Sequence, residues 1–239
     1  KLYTAVGPLI FRWDETNDFW EAVQSHTTVA AKATSIVSYK DRVYVGYGAT
    51  GGYIHGTDTT WTIESDAGTL DQAYFFCVQG DELWKSETTT TVKKSLDNKN
   101  PVTDQDWEVL PQSTVTEVGN PLTGLYALNG GIVATAERGI YVKYSNELLF
   151  QNAAPVYQSD PSSTNFDRGT VRGGWLYLTT AKQGLVRFNG YQLEDLSELF
   201  VAPRLTNYGG RVRAITQDPH QLYLLVDTPT VDTSTSKTV

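Results

Sequence analysis

The sequence has no methionine, a single cysteine and only three histidines in 239 residues. The one cysteine, Cys77, excludes an internal disulfide framework and any cysteine-rich zinc site. Basic residues are also few, because 19 Lys and Arg stand against 27 Asp and Glu, which gives a formal net charge of −8. Nucleic-acid-binding surfaces need clustered Lys and Arg to neutralise phosphates. The composition therefore predicts no nucleic-acid partner.

Long apolar runs are missing as well. The longest run, at 73–78, has six residues, whereas ~20 apolar residues are needed to span a bilayer. The N-terminus lacks the charged and then apolar pattern of an export signal. We therefore expect no membrane insertion. Since an initiator methionine is also absent, the sequence is interpreted as a processed product or as a piece that begins inside a longer protein.

Aromatic residues, by contrast, are abundant and recur at regular distances. A first series, at intervals of 41, 46, 43 and 41 residues, consists of Trp20, Trp61, Trp107, Phe150 and Tyr191. A second series, at intervals of 40, 49, 44 and 46 residues, is centred on Tyr44, Trp84, Val133, Tyr177 and Tyr223. A third reads apolar, basic, aromatic, polar at 11–14, 142–145 and 186–189, with a degraded copy at 92–95. Three series with one period indicate an internal repeat.

The local signals within each repeat are those of short β-strands. In the fourth repeat, an apolar run at 125–128 ends at an Asn-Gly-Gly sequence whose residues tolerate positive φ. Two further runs, 132–135 and 140–144, follow with a turn between them. Adding the strand that carries the first-series aromatic gives four strands per unit, rich in β-branched and aromatic residues. Helical periodicity is confined to 192–200, where one or two helical turns are predicted.

A four-stranded unit repeated every 40 to 50 residues is typical of a β-propeller blade. One such sheet cannot bury its own faces, so neighbouring blades must stack to form the core. The first-series aromatics are expected to fill the wedges between adjacent sheets. An irregular β-sandwich is the alternative fold.

We therefore predict an all-β chain that forms a single β-propeller domain over 1–239, either complete or as part of a larger propeller. It has about five to six repeats. The first repeat is expected to lack its opening strand. The repeats are placed at about 1–30 (partial), 31–70, 71–116, 117–160, 161–203 and 204–239 (partial).

Two sequence motifs that could carry chemistry are assigned to turns. Residues 46–51 match G-x-G-x-x-G, but a dinucleotide loop needs a following helix to hold the pyrophosphate, and Tyr53 begins another strand. Residues 64–70 resemble, out of frame, the Asp box of sialidase-like propellers, which stabilises a turn and is not catalytic. Sialidases also need an arginine cluster and a Tyr nucleophile. The arginines of this chain are Arg12, Arg42, Arg138, Arg168, Arg172, Arg187, Arg204, Arg211 and Arg213.

The titratable residues do not form a recognisable site. His26, His55 and His220 lack the spacing of metal ligands and are interpreted as turn or strand-end residues. Cys77 lies in an apolar run and is predicted to be buried. Acidic residues are concentrated in segments that resemble solvated turns, at 14–21, 104–106 and 194–198. A calcium role is considered only for Asp97, Asp104 or Asp106. We assign no catalytic, cofactor-binding or metal-binding residue and predict that the chain is not an enzyme.

One stretch resembles a known class of proteins. Residues 119–133, followed by 137–141, resemble β-propeller segments in structural proteins of tailed bacteriophages, in which a Thr-Gly-Leu phrase precedes a Gly-Leu-Tyr phrase. Residues 173–177 with 184–185 are similar, and the resemblance covers about half the chain. It implies a non-enzymatic virion component of the tail or its fibres, present in several copies.

The function expected from this resemblance is a scaffold or host-surface recognition module of a virion. Its partners would be other virion proteins, copies of itself, or a host-surface glycan or protein. A secreted carbohydrate-binding or carbohydrate-active (sialidase-like) propeller is the alternative, and an intracellular protein-interaction propeller is a third. Loops on a rigid scaffold are the usual place for recognition, and the longest polar loop is predicted at 85–106.

Overall fold

A computed structural model describes residues 1–28, 30–48, 51–58, 60–64, 72–96, 101, 106–108, 110, 113–153, 162–163, 165–181, 184–196 and 212–226. This part of the chain contains 21 β-strands in six sheets. In every sheet the strands pair antiparallel and in sequence order. None of the described segments is a helix with the length and apolarity needed to cross a membrane. The predicted all-β class is confirmed.

The strand bounds show where each sheet begins and ends. The first sheet contains β1 (Tyr3–Val6), β2 (Leu9–Asp14) and β3 (Phe19–Ser25). The second contains β4 (Ser35–Tyr39), β5 (Arg42–Gly48), β6 (Gly52–Gly56) and β7 (Trp61–Glu64). The third contains β8 (Phe76–Gln79), β9 (Glu82–Ser86), β10 (Val92–Ser95) and β11 (Trp107–Glu108).

The remaining three sheets follow the same order. The fourth contains β12 (Leu122–Leu128), β13 (Gly131–Ala136), β14 (Gly139–Tyr144) and β15 (Gln151–Asn152). The fifth contains β16 (Gly169–Arg172), β17 (Trp175–Thr179), β18 (Leu185–Phe188) and β19 (Leu193–Asp195). The sixth contains β20 (Val212–Gln217) and β21 (Leu222–Val226). The described residues thus form four complete four-stranded sheets, with a three-stranded sheet before them and a two-stranded sheet after them.

Among the described strands, none occupies the opening position of the first sheet, as expected for the first repeat. In β3, Trp20 lies opposite Trp13 of β2, and in β7, Trp61 lies opposite Gly56 of β6. These matching registers identify β2 and β3 as the third and fourth strands of a blade. Among the described strands of the first sheet, β1 is therefore in the second position.

The predicted Asn-Gly-Gly turn forms a tight hairpin between β12 and β13. Asn129 and Gly130 have φ of 49° and 80°, and two positive φ values in succession are the requirement of a type I′ turn. The fifth sheet repeats the device with Gly173 and Gly174, at 58° and 77°. These turns suit the right-handed twist of the strands that they connect.

The core consists of clusters that each join two consecutive sheets. Between the fourth and fifth sheets, for example, Val133 and Ile140 pack with Leu176, Val186 and Phe188. Corresponding clusters join the first to the second sheet, the second to the third, the third to the fourth and the fifth to the sixth. This is the face-to-face stacking that the repeated unit requires.

The prediction for the first aromatic series is only partly right. Trp107 is buried, and Trp61 packs into the core between the first and second sheets. Trp20, however, is 40% exposed and Tyr191 is 80% exposed. Trp20 belongs to the face of the first sheet that no described sheet covers. Tyr191 lies in the turn before β19. The position that Trp20 and Trp61 occupy in their sheets is taken by Leu193, which lies opposite Phe188.

Two other local predictions are corrected by strand register. The helical turns expected at 192–200 are wrong where the structure describes them, because Leu193–Asp195 is strand β19. In the fourth sheet the residues of the third series are shifted by one strand position relative to those of the fifth sheet. Lys143 points to Trp84 of the preceding sheet, 6.0 Å from its ring centroid, whereas Arg187 lines a space beside the following sheet. The hairpin before β14 has fewer residues than the one before β18, and this difference shifts the register.

Candidate functional site

The opening strands of five consecutive sheets surround one central channel of about 460 Å³. Most of its lining is apolar or backbone, and Asp167 and Arg168 are the charged residues among the described ones that line it. Asp167 accepts a hydrogen bond from the Thr179 hydroxyl at 3.2 Å. Burial raises the pKa of Tyr126, which also lines the channel. The channel segments are 34–37, 75–78, 124–127, 167–169 with Val171, and Ile215.

The two turn motifs are only partly covered by the described residues. In the glycine motif, Gly46 and Gly48 lie in β5 and Gly51 precedes β6, so the segment belongs to a β-hairpin as predicted. Gly48 has a positive φ of 71°, a conformation that favours glycine, and a Cβ at this position would collide with the ring of Tyr74. The Asp-box-like segment lies outside the described residues except for Glu64, which ends β7.

The three histidines have three different roles. His26 follows β3 and is buried, with Nε2 2.8 Å from the carbonyl oxygen of Gly51. His220 is an exposed turn residue between β20 and β21, as predicted. His55 corrects the prediction, because it lies inside β6 and is 2% exposed. Its Nε2 is 3.1 Å from Glu64 Oε1.

The turn predicted within the acidic segment 14–21 is present and Cys77 is buried, as predicted, but the turn prediction is wrong for Glu21, which lies in β3, and for Glu194 and Asp195, which lie in β19. Asp14 caps the turn after β2 by accepting the backbone N–H of Thr16 at 2.8 Å. Hydrogen bonds from the Asn17 side chain and from Thr16 hold the pKa of Asp14 below its usual range. Cys77 is buried, and burial raises the pKa of its thiol. Asp97 and Asp104 lie outside the described residues, and within the described part no three His, Cys, Asp or Glu side chains form a group that could hold a metal ion.

A repeated contact between a basic and an acidic side chain explains part of the third series. On the third strand of a sheet, a basic side chain that faces the following sheet pairs with a glutamate of the fourth strand. The distances are 2.6 Å for Arg12–Glu21, 3.1 Å for His55–Glu64, 3.2 Å for Lys94–Glu108 and 2.7 Å for Arg187–Glu194. The fourth sheet differs, because Val142 lies opposite Gln151 there. His55 was not predicted as a member because the third series is defined by Lys and Arg.

The described arginines are distributed over different sheets. Arg12 bridges two blades, because it also contacts Asp58 of the next sheet at 2.6 Å. Hydrogen bonds from Lys1 and, to a smaller extent, from Arg12 hold the pKa of Asp58 far below its usual range. Arg187 lies 4.2 Å from the ring centroid of Trp175 in its own sheet. Arg204 and Arg211, and the side chain of Arg213, lie outside what the structure describes.

Buried asparagines anchor the loops that precede the fourth and fifth sheets, a feature that was not predicted from the sequence. Asn120 and Asn165 are 2% and 1% exposed. Their Oδ1 atoms accept the backbone N–H groups of Arg138 and Ala181, at 3.0 and 2.9 Å. Asn165 also donates to the carbonyl oxygen of Glu137 in the preceding sheet, at 2.8 Å. The recurrence of Asn at the repeat period was the available signal.

An exposed pair of stacked rings lies where the fourth and fifth sheets meet. The centroids of Tyr144 and Tyr191 are 5.6 Å apart and their planes are inclined by 17°; we call this pair the tyrosine stack. Tyr191 is 80% exposed, whereas Tyr144 is partly buried. Burial, the hydrogen bond to Tyr191 and the charges of Tyr191 and Glu147 raise the pKa of Tyr144 to about 12.

The turn that carries Tyr191 is held on two sides. Asn129 of the fourth sheet donates through Nδ2 to the carbonyl oxygens of Gly174, at 3.0 Å, and Asn189, at 2.9 Å. Asn189 Oδ1 accepts the backbone N–H of Tyr191 at 2.9 Å. Gly190 has φ of 106°, and a Cβ there would collide with the Tyr144 hydroxyl. The exposed ring is therefore presented by a fixed turn.

Comparison with known proteins identifies the fold but no family. No family model matches the chain, and no curated protein sequence matches it. The extracellular domain of BT4673 from B. thetaiotaomicron superposes with a TM-score of 0.58 at 13% identity, over 94% of this chain and 30% of that one. YCF48 bound to D1 peptide gives a TM-score of 0.56 at 12% identity, covering 95% and 87%. A chain of the Mitotic Checkpoint Complex gives 0.60 at 11% identity, covering 96% and 76%.

These similarities define the architecture as a β-propeller, which confirms the predicted fold class and repeat nature. The chain spans about a third of the length of the bacterial extracellular domain. Propellers of this shape occur in protein complexes, as in the Mitotic Checkpoint Complex and in the Nidogen/Laminin Complex. At identities this low the similarity concerns the fold.

Proposed function

We propose that this chain is a non-enzymatic component of a bacteriophage virion, associated with the tail or a fibre. In this role the propeller acts as a scaffold or recognises the host surface. The resemblance of 119–141 to phage structural propellers supports the setting, and the occurrence of similar propellers in protein complexes supports a role in binding.

The observation that carries the proposal is the exposed apolar surface at both ends of the described ring of sheets. In the first sheet, Val6 is 64% exposed and Trp20 is 40% exposed. In the sixth sheet, Tyr223 and Leu225 are 49% and 64% exposed. These apolar side chains lie on the faces of the first and sixth sheets that no described sheet covers, and exposed apolar surface is typical of sites where proteins bind each other. We propose that other virion proteins or copies of this chain bind there.

Incorporation into particles tests the proposal. Phage lacking the gene is complemented with the wild-type chain, with Val6→Asp or with Val118→Asp, and the chain is quantified by mass spectrometry of purified particles. Wild type and Val118→Asp are expected in the particles, because Val118 is 98% exposed in a loop. Val6→Asp is expected to be depleted, because a charge on an apolar contact surface is costly to desolvate.

Two outcomes would overturn the proposal. One is the absence of the wild-type chain from purified particles. The other is equal incorporation of both variants. Thermal unfolding of the purified variants accompanies the measurement, so that loss of the fold is distinguished from loss of a contact.

A further inference from the structure

We propose that the tyrosine stack is a glycan-binding site, on which a neutral hexopyranose ring lies against the open face of Tyr191. This inference deepens the proposed role in host-surface recognition and rests on it. It begins from the position of Tyr191, which contributes nothing to the wedge between the sheets. Leu193, two residues later, takes the core position opposite Phe188.

The cost of holding Tyr191 in place indicates a role for the exposed ring. A tyrosine in a mobile loop would need no support, yet this turn accepts a hydrogen bond from Asn129 and has a glycine at φ 106°. The Tyr144 hydroxyl also donates to the carbonyl oxygen of Gly190, at 3.3 Å. Because the ring is already ordered, a ligand that stacks on it does not pay the entropy of fixing it.

The shape and polarity of the site favour a sugar ring. Tyr144 stacks against Tyr191 with a centroid separation of 5.6 Å and leaves Tyr191 80% exposed, and aromatic rings offer apolar area with a polar edge. The exposed side-chain amide of Gln192 lies next to this ring, and Asn129, whose Nδ2 donates to Gly174 and Asn189, offers Oδ1 as an acceptor. A hexopyranose has an apolar C–H face and a rim of hydroxyls that such amides can bind. A protein partner would need about 800 Å² on each side, far more than one ring offers.

Charge predicts which glycans are accepted. The carboxylate of Glu147 contributes to the raised pKa of Tyr144, so its negative charge acts on the stack. It is anchored there by accepting the backbone N–H of Tyr144 at 3.0 Å. The chain as a whole has a net charge of −8. Sialylated and other acidic glycans are therefore expected to bind more weakly than neutral ones.

The experiment measures binding of the purified chain to immobilised neutral hexose, N-acetylhexosamine and sialylated oligosaccharides. Four proteins are compared: wild type, Tyr191→Ala, Tyr191→Phe and Phe19→Ala. Phe19 is the matched control, because it is a 47% exposed aromatic residue in β3 of the first sheet. Tyr191→Ala is expected to weaken binding of neutral glycans by about tenfold or more. Tyr191→Phe retains the ring and is expected to weaken it by less than about fivefold.

The expected pattern is binding of neutral glycans that Tyr191→Ala loses and Phe19→Ala keeps. The proposal is overturned if no neutral glycan on the surface binds wild type, if Tyr191→Ala binds as well as wild type, or if both alanine variants lose binding equally. A preference for sialylated oligosaccharides would also overturn it. The outcome is independent of the particle measurement: a chain present in virions without glycan binding refutes only the site, and glycan binding by a chain absent from virions refutes only the virion role.

Discussion

The core between the second and third sheets and the core between the fourth and fifth sheets occupy equivalent wedges but differ in chemistry. In the second–third core, aromatic rings predominate, and Phe76 lies 5.8, 5.7 and 6.3 Å from the ring centroids of Tyr44, Tyr53 and Trp107. In the fourth–fifth core, aliphatic side chains predominate around Phe188.

Polar groups separate the two cores further. In the second–third core, Trp107 Nε1 donates to the Tyr53 hydroxyl at 3.3 Å, and Lys85 Nζ lies 4.7 Å from the Trp107 centroid. His55 and Glu64 border the same core. The space between two blades must be filled, but either aromatic or aliphatic side chains can fill it. Aromatic cores need directed contacts, whereas aliphatic cores need only close packing.

Removing one ring from each core should produce the largest effect. Phe188→Ala is expected to lower the free energy of unfolding by about 3–5 kcal/mol, because it leaves a cavity at a fully buried position. Phe76→Ala should cost a further ~0.5–1.5 kcal/mol, because ring–ring contacts are lost as well. Urea unfolding of both variants measures the difference. A smaller loss for Phe76→Ala would show that the ring contacts add nothing to burial.

Removing one hydroxyl from the aromatic core should have a smaller effect that depends on pH. The Tyr44 hydroxyl donates to the carbonyl oxygen of Pro101 at 3.1 Å, so Tyr44→Phe should cost about 1 kcal/mol at neutral pH. Burial raises the pKa of Tyr44 above its usual 10.0. Its contribution is therefore complete below about pH 10 and is lost as the pH rises through the folded-state pKa.

Urea midpoints at pH 8 and pH 11 test this dependence. The advantage of wild type over Tyr44→Phe should shrink at the higher pH, because only wild type loses the stabilising neutral phenol at this position. Tyr126→Phe, in the fourth sheet, is the positive control. Burial also raises the pKa of Tyr126, so the advantage of wild type over this variant should shrink at pH 11 as well. An advantage that is unchanged at pH 11 would contradict the prediction for Tyr44.

A reciprocal exchange of fourth-strand residues should give the smallest effects. Glu64→Gln weakens the contact with His55 and should cost ~0.5–1.5 kcal/mol. Gln151→Glu places a carboxylate opposite Val142 and beside Glu147, to which Gln151 Nε2 donates at 3.2 Å, and should lower stability by less than about 0.5 kcal/mol because this contact is exposed. Thermal unfolding compares the two. If Glu64→Gln and Gln151→Glu change the melting temperature equally, the contact between His55 and Glu64 does not stabilise the second–third core.

The sequence was sufficient for features that depend on neighbouring residues. The period, the strands and the Asn129-Gly130 turn could be predicted because turn chemistry and strand alternation are local. The exposure of Tyr191 could not, because equal spacing does not distinguish a strand residue from one in the preceding turn. The direction of the Lys143 side chain, toward the preceding sheet, was not predicted because the β13–β14 hairpin is shorter than the β17–β18 hairpin. The candidate site depends on contacts of Asn129 with Gly174 and Asn189, which no pattern within one repeat reveals.

The pairing of each core with two consecutive sheets has a consequence for how the molecule opens. If stability is a sum of nearest-neighbour terms, the second to fifth sheets each have two interfaces among the described sheets, whereas the first and sixth sheets have one. The backbone amides of the fourth sheet, between the clusters that contain Ile132 and Val133, should therefore exchange with solvent deuterium more slowly than those of β1 and β21. Such a gradient would let the outermost sheets separate and rejoin while the centre of the ring stays folded.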